Sequence, residues 1–371
     1  MSNITYTNVA DYLDARDLDN KIPSINMIIS NRTAGKTVST FKLCYDDFFK
    51  FGRRFVVLYR SKYELKGSGI AIKCALENFD ECEKIVEIKD KPLVQGVIRK
   101  YILCIRKGDI GDESEINEEP EVDEYEIGYA VCLKDREAVK KYSGVFAKVY
   151  NVVMDEFQLE SGKYIHDEIG CFKSALNSIA RGGKKMSRFI RCILLSNDVS
   201  LLNPYFVYYG VHKRLKPGTK KLRGNGWVAH FIFNEDASRA LQNAAHNAAD
   251  KDTKYMRYSS GLGQLYACNS FIDKIPPKSR YLMTIYYKDT SYGVREVNGG
   301  SLMHVSHKID SKCRTVMTFE ETEVEENRYM ITRSSQIWKV LCDYYRRNAM
   351  RFDDLESKNM MFDLLGIAFT L

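Results

Sequence analysis

Residues 24–37 read SINMIISNRTAGKT, a short apolar run followed by a polar turn. Beyond it, Val38, Phe41, Leu43, Phe48 and Phe49 recur at mixed helical spacing across 36–50. This order predicts strand, loop, helix. A loop in that place can cradle phosphate, because backbone N–H groups and the helix N-terminus attract anionic oxygens. Lys36 would reach the β- and γ-phosphates, and the Thr37 hydroxyl would hold Mg²⁺. The candidate cradle is Ser30, Asn31, Arg32, Thr33, Ala34, Gly35, Lys36 and Thr37. Ser30 stands where GxxxxGK[ST] has its first glycine, a position that often needs glycine's conformational freedom. A decorative AGKT at a helix start is therefore the alternative.

Further along, residues 152–156 read VVMDE, an apolar strand that ends in two carboxylates. Asp155 is placed to hold Mg²⁺ through water, and Glu156 to polarise an attacking water, as hydrolysis requires. Two acids at a strand end can also cap the next helix. A third strand over 192–195 ends in Ser196-Asn197, and Asn197 could sense the γ-phosphate or hold Glu156 inactive. A turn-forming Asn is the bland alternative. Arg181 lies between the helix after Glu156 and this third strand, where it could act as a finger on a neighbouring subunit's phosphate. Lys184, Lys185 and Arg188 lie close to it, so plain DNA-facing charge is the competing reading.

The chain around these motifs has 371 residues, 44% hydrophobic and 28% charged, which suits two or three folded units with a real core. No run of 18 apolar residues occurs, and the first 20 residues are polar and carry acids. Neither a membrane span nor a signal peptide is expected, and the chain is expected to stay in a cytoplasm. Ten cysteines occur singly with no CxxC, so reduced thiols are expected, not a zinc site.

The net charge of +7 is unevenly distributed. Residues 108–126 hold ten acids and no Lys or Arg, which reads as a solvated hairpin loop. Residues 170–233 hold twelve Lys or Arg against one acid, Asp198. Phe206, Tyr208, Tyr209 and Trp227 interleave that block, which suits a polyanion such as nucleic acid.

Further β-rich runs cover 54–59, 100–105, 125–133, 148–154 and 188–195, so an α/β sheet with a parallel core is expected. The segment after Asn203 is basic and glycine-punctuated, with an Ala-rich helix near 237–251, and reads as a connecting subdomain. From about 265 the runs 279–287, 292–297 and 301–305 suggest an antiparallel meander closed by a helix over 335–350. That C-terminal part is not expected to be a nuclease: its first strand has no acid before Asp289 in the turn, whereas nucleases of the RNase H type need carboxylates for two metals. His304 and His307, three apart on a strand, make a poor metal pair.

NRTAGKT after a β-run, VVMDEF, and above all RCILLSNDVSLLNPYF over 191–206 resemble the double-stranded-DNA packaging ATPases of small podophages of the phi-29 type. The resemblance implies an ATPase domain of the additional-strand catalytic-glutamate (ASCE) class over 1–203, a basic linker subdomain over 204–264, and a smaller α+β domain over 265–371. This last is expected to have a vestigial RNase H-like fold that engages nucleic acid. It further implies ATP and Mg²⁺ as ligands and a five-membered ring on the portal of an empty prohead, with a packaging RNA as a further candidate partner. The ring would act in the host cytoplasm, transiently at the portal vertex, and be absent from the mature virion. Lys36, Thr37, Asp155 and Glu156 match the Walker residues, Arg32 the arginine of the phosphate loop, and Asn197 the Asn closing the LSN motif. Arg60 and Lys62 match a basic, pore-facing patch, with one of the family's two adjacent arginines missing. Arg181 matches the proposed finger if about four residues are inserted after it, and otherwise Lys185 takes that place. Lys140 and Lys141 lie, with gaps, where a trans-acting lysine is expected.

An ATP-driven translocase of double-stranded DNA is thus the leading expectation. A P-loop kinase acting on a nucleotide or other small molecule, and a non-enzymatic nucleic-acid-binding assembly protein with a degenerate loop, are the alternatives.

Overall fold

The computed structural model describes residues 7–107, 121–159, 164–181, 187–197, 203–215, 219–244, 272–287, 290–332, 334–347, 349–354, 356–358, 360–361 and 364–365. Two compact units emerge. The first comprises Met1–Tyr205 with Gly218–Gln264, the second Phe206–Pro217 with Leu265–Leu371.

The first unit is built on β1 (Ile25–Ser30), β2 (Arg54–Tyr59), β3 (Ile85–Val94), β4 (Ile98–Arg106), β5 (Val122–Cys132), β6 (Val149–Met154), β7 (Arg191–Asn197), β8 (Lys221–Gly224) and β9 (Trp227–Ile232). They form one sheet in the order β3-β4-β5-β2-β6-β7-β1-β9-β8. From β5 to β9 every neighbouring pair is parallel, and antiparallel pairs close both edges. All six residues of β1 are buried, as a central parallel strand covered on both faces requires. Its helices are α1 (Lys36–Phe51), α2 (Lys62–Leu65), α3 (Ser68–Leu76), α4 (Arg136–Lys141), α5 (Glu168–Ala180), the start of α6 (Pro204–Tyr208) and α8 (Glu235–Asn243), whereas the rest of α6 and all of α7 (Val211–Arg214) fall in the second unit. Phe41 and Cys44 of α1 enter the core formed with Ile28, Val57, Val153, Ile193 and Leu195. The helix ends at Gly52, whose φ of +64° a residue with a Cβ rarely adopts.

Strand β7 lies between β1 and β6, so one additional strand separates the phosphate-loop strand from the strand that ends in acids. This is the ASCE arrangement expected from the sequence. The register places Ser30 beside Asn197 and Met154 beside Leu194, which brings the three strand ends to one edge. In open parallel sheets the crevice beyond the carboxyl ends of the strands is the ligand position.

Several elements differ from expectation. Strand β3 was not anticipated, and residues 221–232, expected in a connecting segment, form two strands of the main sheet. Strands β4 and β5 pair as the expected hairpin, although 108–120 of its acidic loop lie outside the described residues.

In the second unit, β10 (Ser279–Tyr287), β11 (Thr290–Val297), β12 (Leu302–Ser306), β13 (Val316–Thr318), β14 (Arg328–Met330) and β15 (Met350–Phe352) form a sheet ordered β14-β13-β10-β11-β12-β15. The expected meander is β10-β11-β12, and parallel strands extend it on both sides. Helix α9 (Gln336–Arg346) buries Leu341, Cys342 and Tyr344 in this unit's core. It is shorter than expected because Ala349 N–H turns back to the Tyr344 carbonyl at 2.9 Å, and Met350 enters β15 beside Met303. His304 is buried and its Nε2 lies 2.8 Å from the Asp273 carbonyl, whereas His307 faces Asp354 and Glu356. Asp289 lies outside the described residues. Among the described residues no helix is long and apolar enough to cross a membrane.

Candidate nucleotide site

The loop leaves β1 at Ser30 and turns through Thr33 (φ +64°) and Gly35 (φ +81°), both left-handed, so that α1 starts at Lys36. A β-branched residue is disfavoured in that region, so Thr33 marks a strained point of the loop. Asn31 fixes the loop's base. Its Nδ2 donates to the Asn234 carbonyl and its Oδ1 accepts from Asn234 N–H, each at 2.9 Å. Asn234 in turn caps α8 through Ala237 N–H at 2.9 Å. From the other side, Thr7 N–H donates to the Ala34 carbonyl at 2.8 Å.

Lys36 is 6% exposed. Its ammonium donates to Ser30 Oγ at 2.8 Å, to the Asn31 carbonyl at 3.2 Å and to Asn197 Oδ1 at 3.2 Å, one partner for each of its three donors. Burial lowers its pKa to about 8, against the opposing pull of Asp155 and Glu156. Ser30 is the last residue of an extended strand, so glycine's conformational range is not needed there, and the hydroxyl supplies an oxygen for the lysine.

Asp155 and Glu156 follow the end of β6. Thr37 Oγ1 donates to Asp155 Oδ2 at 2.7 Å, and Glu156 N–H donates to Asp155 Oδ1 at 2.9 Å. Glu156 is exposed and has a φ of +52°. A cavity of about 310 Å³ is lined by Thr33, Ala34, Gly35, Lys36, Thr37, Val38, Asp155, Glu156, Ser196 and Asn197. The hydroxyl and carboxylate of Thr37 and Asp155 are hard oxygen donors of the kind Mg²⁺ accepts. Among the described residues no group of three or more His, Cys, Asp or Glu could hold a metal by itself. The pair therefore fits an ion that shares its shell with phosphate oxygens and water.

Other sequence candidates are placed elsewhere. Arg60, expected in a pore-facing basic patch, is 8% exposed and ion-paired to Glu168, so its charge is committed inside the fold and not presented to DNA. Lys62 is about half exposed and lies 3.4 Å from Asp135. Lys140 pairs with Glu137 at 2.7 Å, and the Lys141 ammonium lies 6.0 Å from the Tyr142 ring centre, both on exposed α4 positions. Arg181 is exposed at the C-terminal end of α5. None of these lines the cavity; Arg32 is part of the loop but is not among the lining residues. Lys184 and Lys185 lie outside the described residues. The sequence reading missed Asn234 and Glu168, whose partners are distant in the chain, and Tyr205, which lies in the distinctive run ending NPYF.

The sequence model of the Podovirus DNA encapsidation protein (Gp16) matches residues 121–368, well over half of the chain. The DNA packaging protein of Bacillus phage PZA is 24% identical over 355 residues, covering 92% of each chain. That of Bacillus phage phi29 is 23% identical with the same coverage. A chain of the bacteriophage Phi-29 viral genome packaging motor assembly superposes with a TM-score of 0.57 at 20% identity, covering 97% of this chain and 98% of that one.

Proposed function

This chain belongs to the Podovirus DNA encapsidation protein (Gp16) family, and from that premise we propose that it hydrolyses ATP to drive double-stranded DNA into a viral prohead. One observation carries the reading. Lys36, Thr37, Asp155, Glu156 and Asn197 arrive from three strand ends, with β7 interposed, and line a single cavity.

The residues divide the work as follows. The N-terminus of α1 and the Lys36 ammonium attract the phosphates. Thr37 and Asp155 would hold Mg²⁺, which when bound neutralises phosphate charge. Glu156 accepts a proton from the attacking water, a role worth about 10² to 10⁴ in rate. Asn197 contacts Lys36 and so links the end of β7 to the phosphates. A kinase would deliver the phosphoryl group to a metabolite hydroxyl; membership of the DNA encapsidation family favours water instead.

In this reading the protein acts as a ring, five-membered, at the portal vertex in the host cytoplasm. Arg181 or Lys185, with Lys140 or Lys141, would complete a neighbour's site. The exposed cations of the basic stretch 170–233, with Lys62, would face DNA, while Arg188 and Arg191 are bonded within the fold; a packaging RNA is a candidate further partner. The first unit is the motor, and the second engages nucleic acid.

ATP hydrolysis measured with and without double-stranded DNA tests the proposal. Turnover in the wild type, stimulated by DNA and abolished in Glu156→Gln with nucleotide binding retained, is the expected result. Turnover unchanged in Glu156→Gln removes that residue from the mechanism.

A further inference from the structure

Behind the cavity lies a polar cluster that the reaction scheme leaves unused. The Arg60 guanidinium, at the end of β2, donates through Nη1 to the Glu156 carbonyl at 3.0 Å and through Nη2 to the Phe157 carbonyl at 2.9 Å. Its Nε donates to Glu168 Oε1 at 2.8 Å. Glu168, the first residue of α5 and 3% exposed, also accepts from the Tyr205 hydroxyl at 2.9 Å, and its other oxygen accepts from Ile165 N–H at 3.2 Å. Tyr205 is fully buried, its ring flanked edge-on by Phe157 and Phe172. Phe157 N–H donates to the Leu195 carbonyl at 3.0 Å, which ties the turn to β7.

We propose that Arg60, held by Glu168 and Tyr205, is a positioning residue that fixes the backbone of Glu156 and thereby aims its carboxylate into the cavity. This rests on the reading of Glu156 as the residue that activates water. Two facts converge on it. Glu156 occupies a left-handed backbone conformation that a side-chain-bearing residue adopts only rarely and at a cost. On its C-terminal side the Glu156 and Phe157 carbonyls, which flank Phe157, are both gripped by one planar guanidinium, and on its N-terminal side Glu156 N–H is held by Asp155 Oδ1 at 2.9 Å.

The chemistry explains the choice of residues. A buried ion pair is poor evidence of stability, since well-packed apolar side chains commonly do as well. Arginine offers donors in a fixed fork that can grip two carbonyls and a carboxylate together, whereas lysine presents a compact charge on a flexible stem. With the peptide groups on both sides of Glu156 held, by Arg60 after it and Asp155 before it, its Cα–Cβ direction is restrained too, and misplacement of a reacting group by about 1 Å can cost about 100-fold in rate.

The experiment measures kcat, ATP dissociation constant and thermal midpoint for Arg60→Lys, Tyr205→Phe and the double variant Arg60→Met/Glu168→Gln, with Glu156→Gln in parallel. Arg60→Lys should keep ATP affinity within about threefold and lose about tenfold to 100-fold in kcat. The double variant removes both buried charges together, so its thermal midpoint should stay near that of the wild type while kcat remains low, because the two carbonyls are still unheld. A kcat that recovers with the thermal midpoint assigns the cluster a purely structural role and overturns the proposal. If the double variant does not fold, Arg60→Lys and Tyr205→Phe decide: both turning over at the wild-type rate overturns it. The parent reading fails separately, by a Glu156→Gln protein that hydrolyses ATP normally; an inactive Glu156→Gln beside fully active Arg60 variants defeats the positioning role alone.

Discussion

Asn197 Oδ1 accepts a hydrogen bond from Lys36 Nζ at 3.2 Å, so the end of the additional strand touches the charge that the phosphate loop presents. Removing the amide in Asn197→Ala should lower kcat by about 10²- to 10³-fold, a loss of the size seen when one polar transition-state contact is deleted. ATP affinity should change little. Asn197→Asp should act differently, since a carboxylate beside Lys36 repels phosphate and weakens binding itself. Steady-state turnover together with equilibrium titration separates the two effects, and a wild-type kcat in Asn197→Ala would remove Asn197 from the mechanism.

The lowered pKa of Lys36 makes ATP binding sensitive to mild alkali. Burial brings it from the ordinary 10.5 to about 8. Bound phosphate favours the charged form and raises the pKa again, so binding near pH 8 to 9 takes up protons. Affinity should fall as pH rises above about 8, and calorimetry in buffers of different ionisation enthalpy should show the uptake. Stability has the opposite sign. Between about 8 and 10.5 the unfolded chain binds more protons at this group than the native one, so its contribution to stability rises with pH through that window. The same proton uptake in Lys36→Met would assign it to another group.

Binding of double-stranded DNA should be insensitive to sequence and should weaken steeply with salt. Each neutralised phosphate contributes a slope of roughly −0.9 in log K against log salt. Titration of a labelled duplex at several salt concentrations gives that slope. A flat response, or strong preference for one sequence, would contradict a translocating channel.

Arg181→Ala and Glu156→Gln proteins, each inactive alone, should recover some ATPase activity when mixed, because a mixed interface can pair an intact Glu156 with an intact Arg181. A finger donated in trans stabilises transition-state charge, with effects of about 10³ to 10⁵ in rate in other NTPases. The exposed position of Arg181 at the end of α5 leaves it free to meet a neighbour. Should demonstrably co-assembled mixtures stay inactive, with Lys185→Ala giving the same result, the basic segment is DNA-facing charge only.

What the sequence revealed was local. The run from Ile25 to Phe51 carries its own periodicity, its loop and its helix start within one window, and VVMDE announces a strand with acids at its end. Arg60 shows the limit. In sequence it is one of two cations in YRSK and reads as surface charge, because its partner Glu168 lies 108 positions away. The main-sheet hairpin of β8 and β9 was obscured by its basic side chains, although Asn225-Gly226, with Gly226 at a φ of +77°, marks a turn between two short runs. Strand β3 mixes Lys, Asp and Pro92 into its apolar positions, as an edge strand can and a central one rarely does.

The place of β1 between β7 and β9 sets an order of assembly on the ribosome. Residues 25–30 are synthesised early, yet one hydrogen-bonding edge of that strand stays unpaired until Trp227–Ile232 has emerged, some two hundred residues later. The partner of Asn31 appears later still, at Asn234. Until then the nascent chain carries an open strand edge beside an unfinished loop, the kind of surface on which chains adhere to one another. A fragment ending at residue 203 would keep that edge permanently. An excised first unit that includes residues through 244 brings its own covering strand with it.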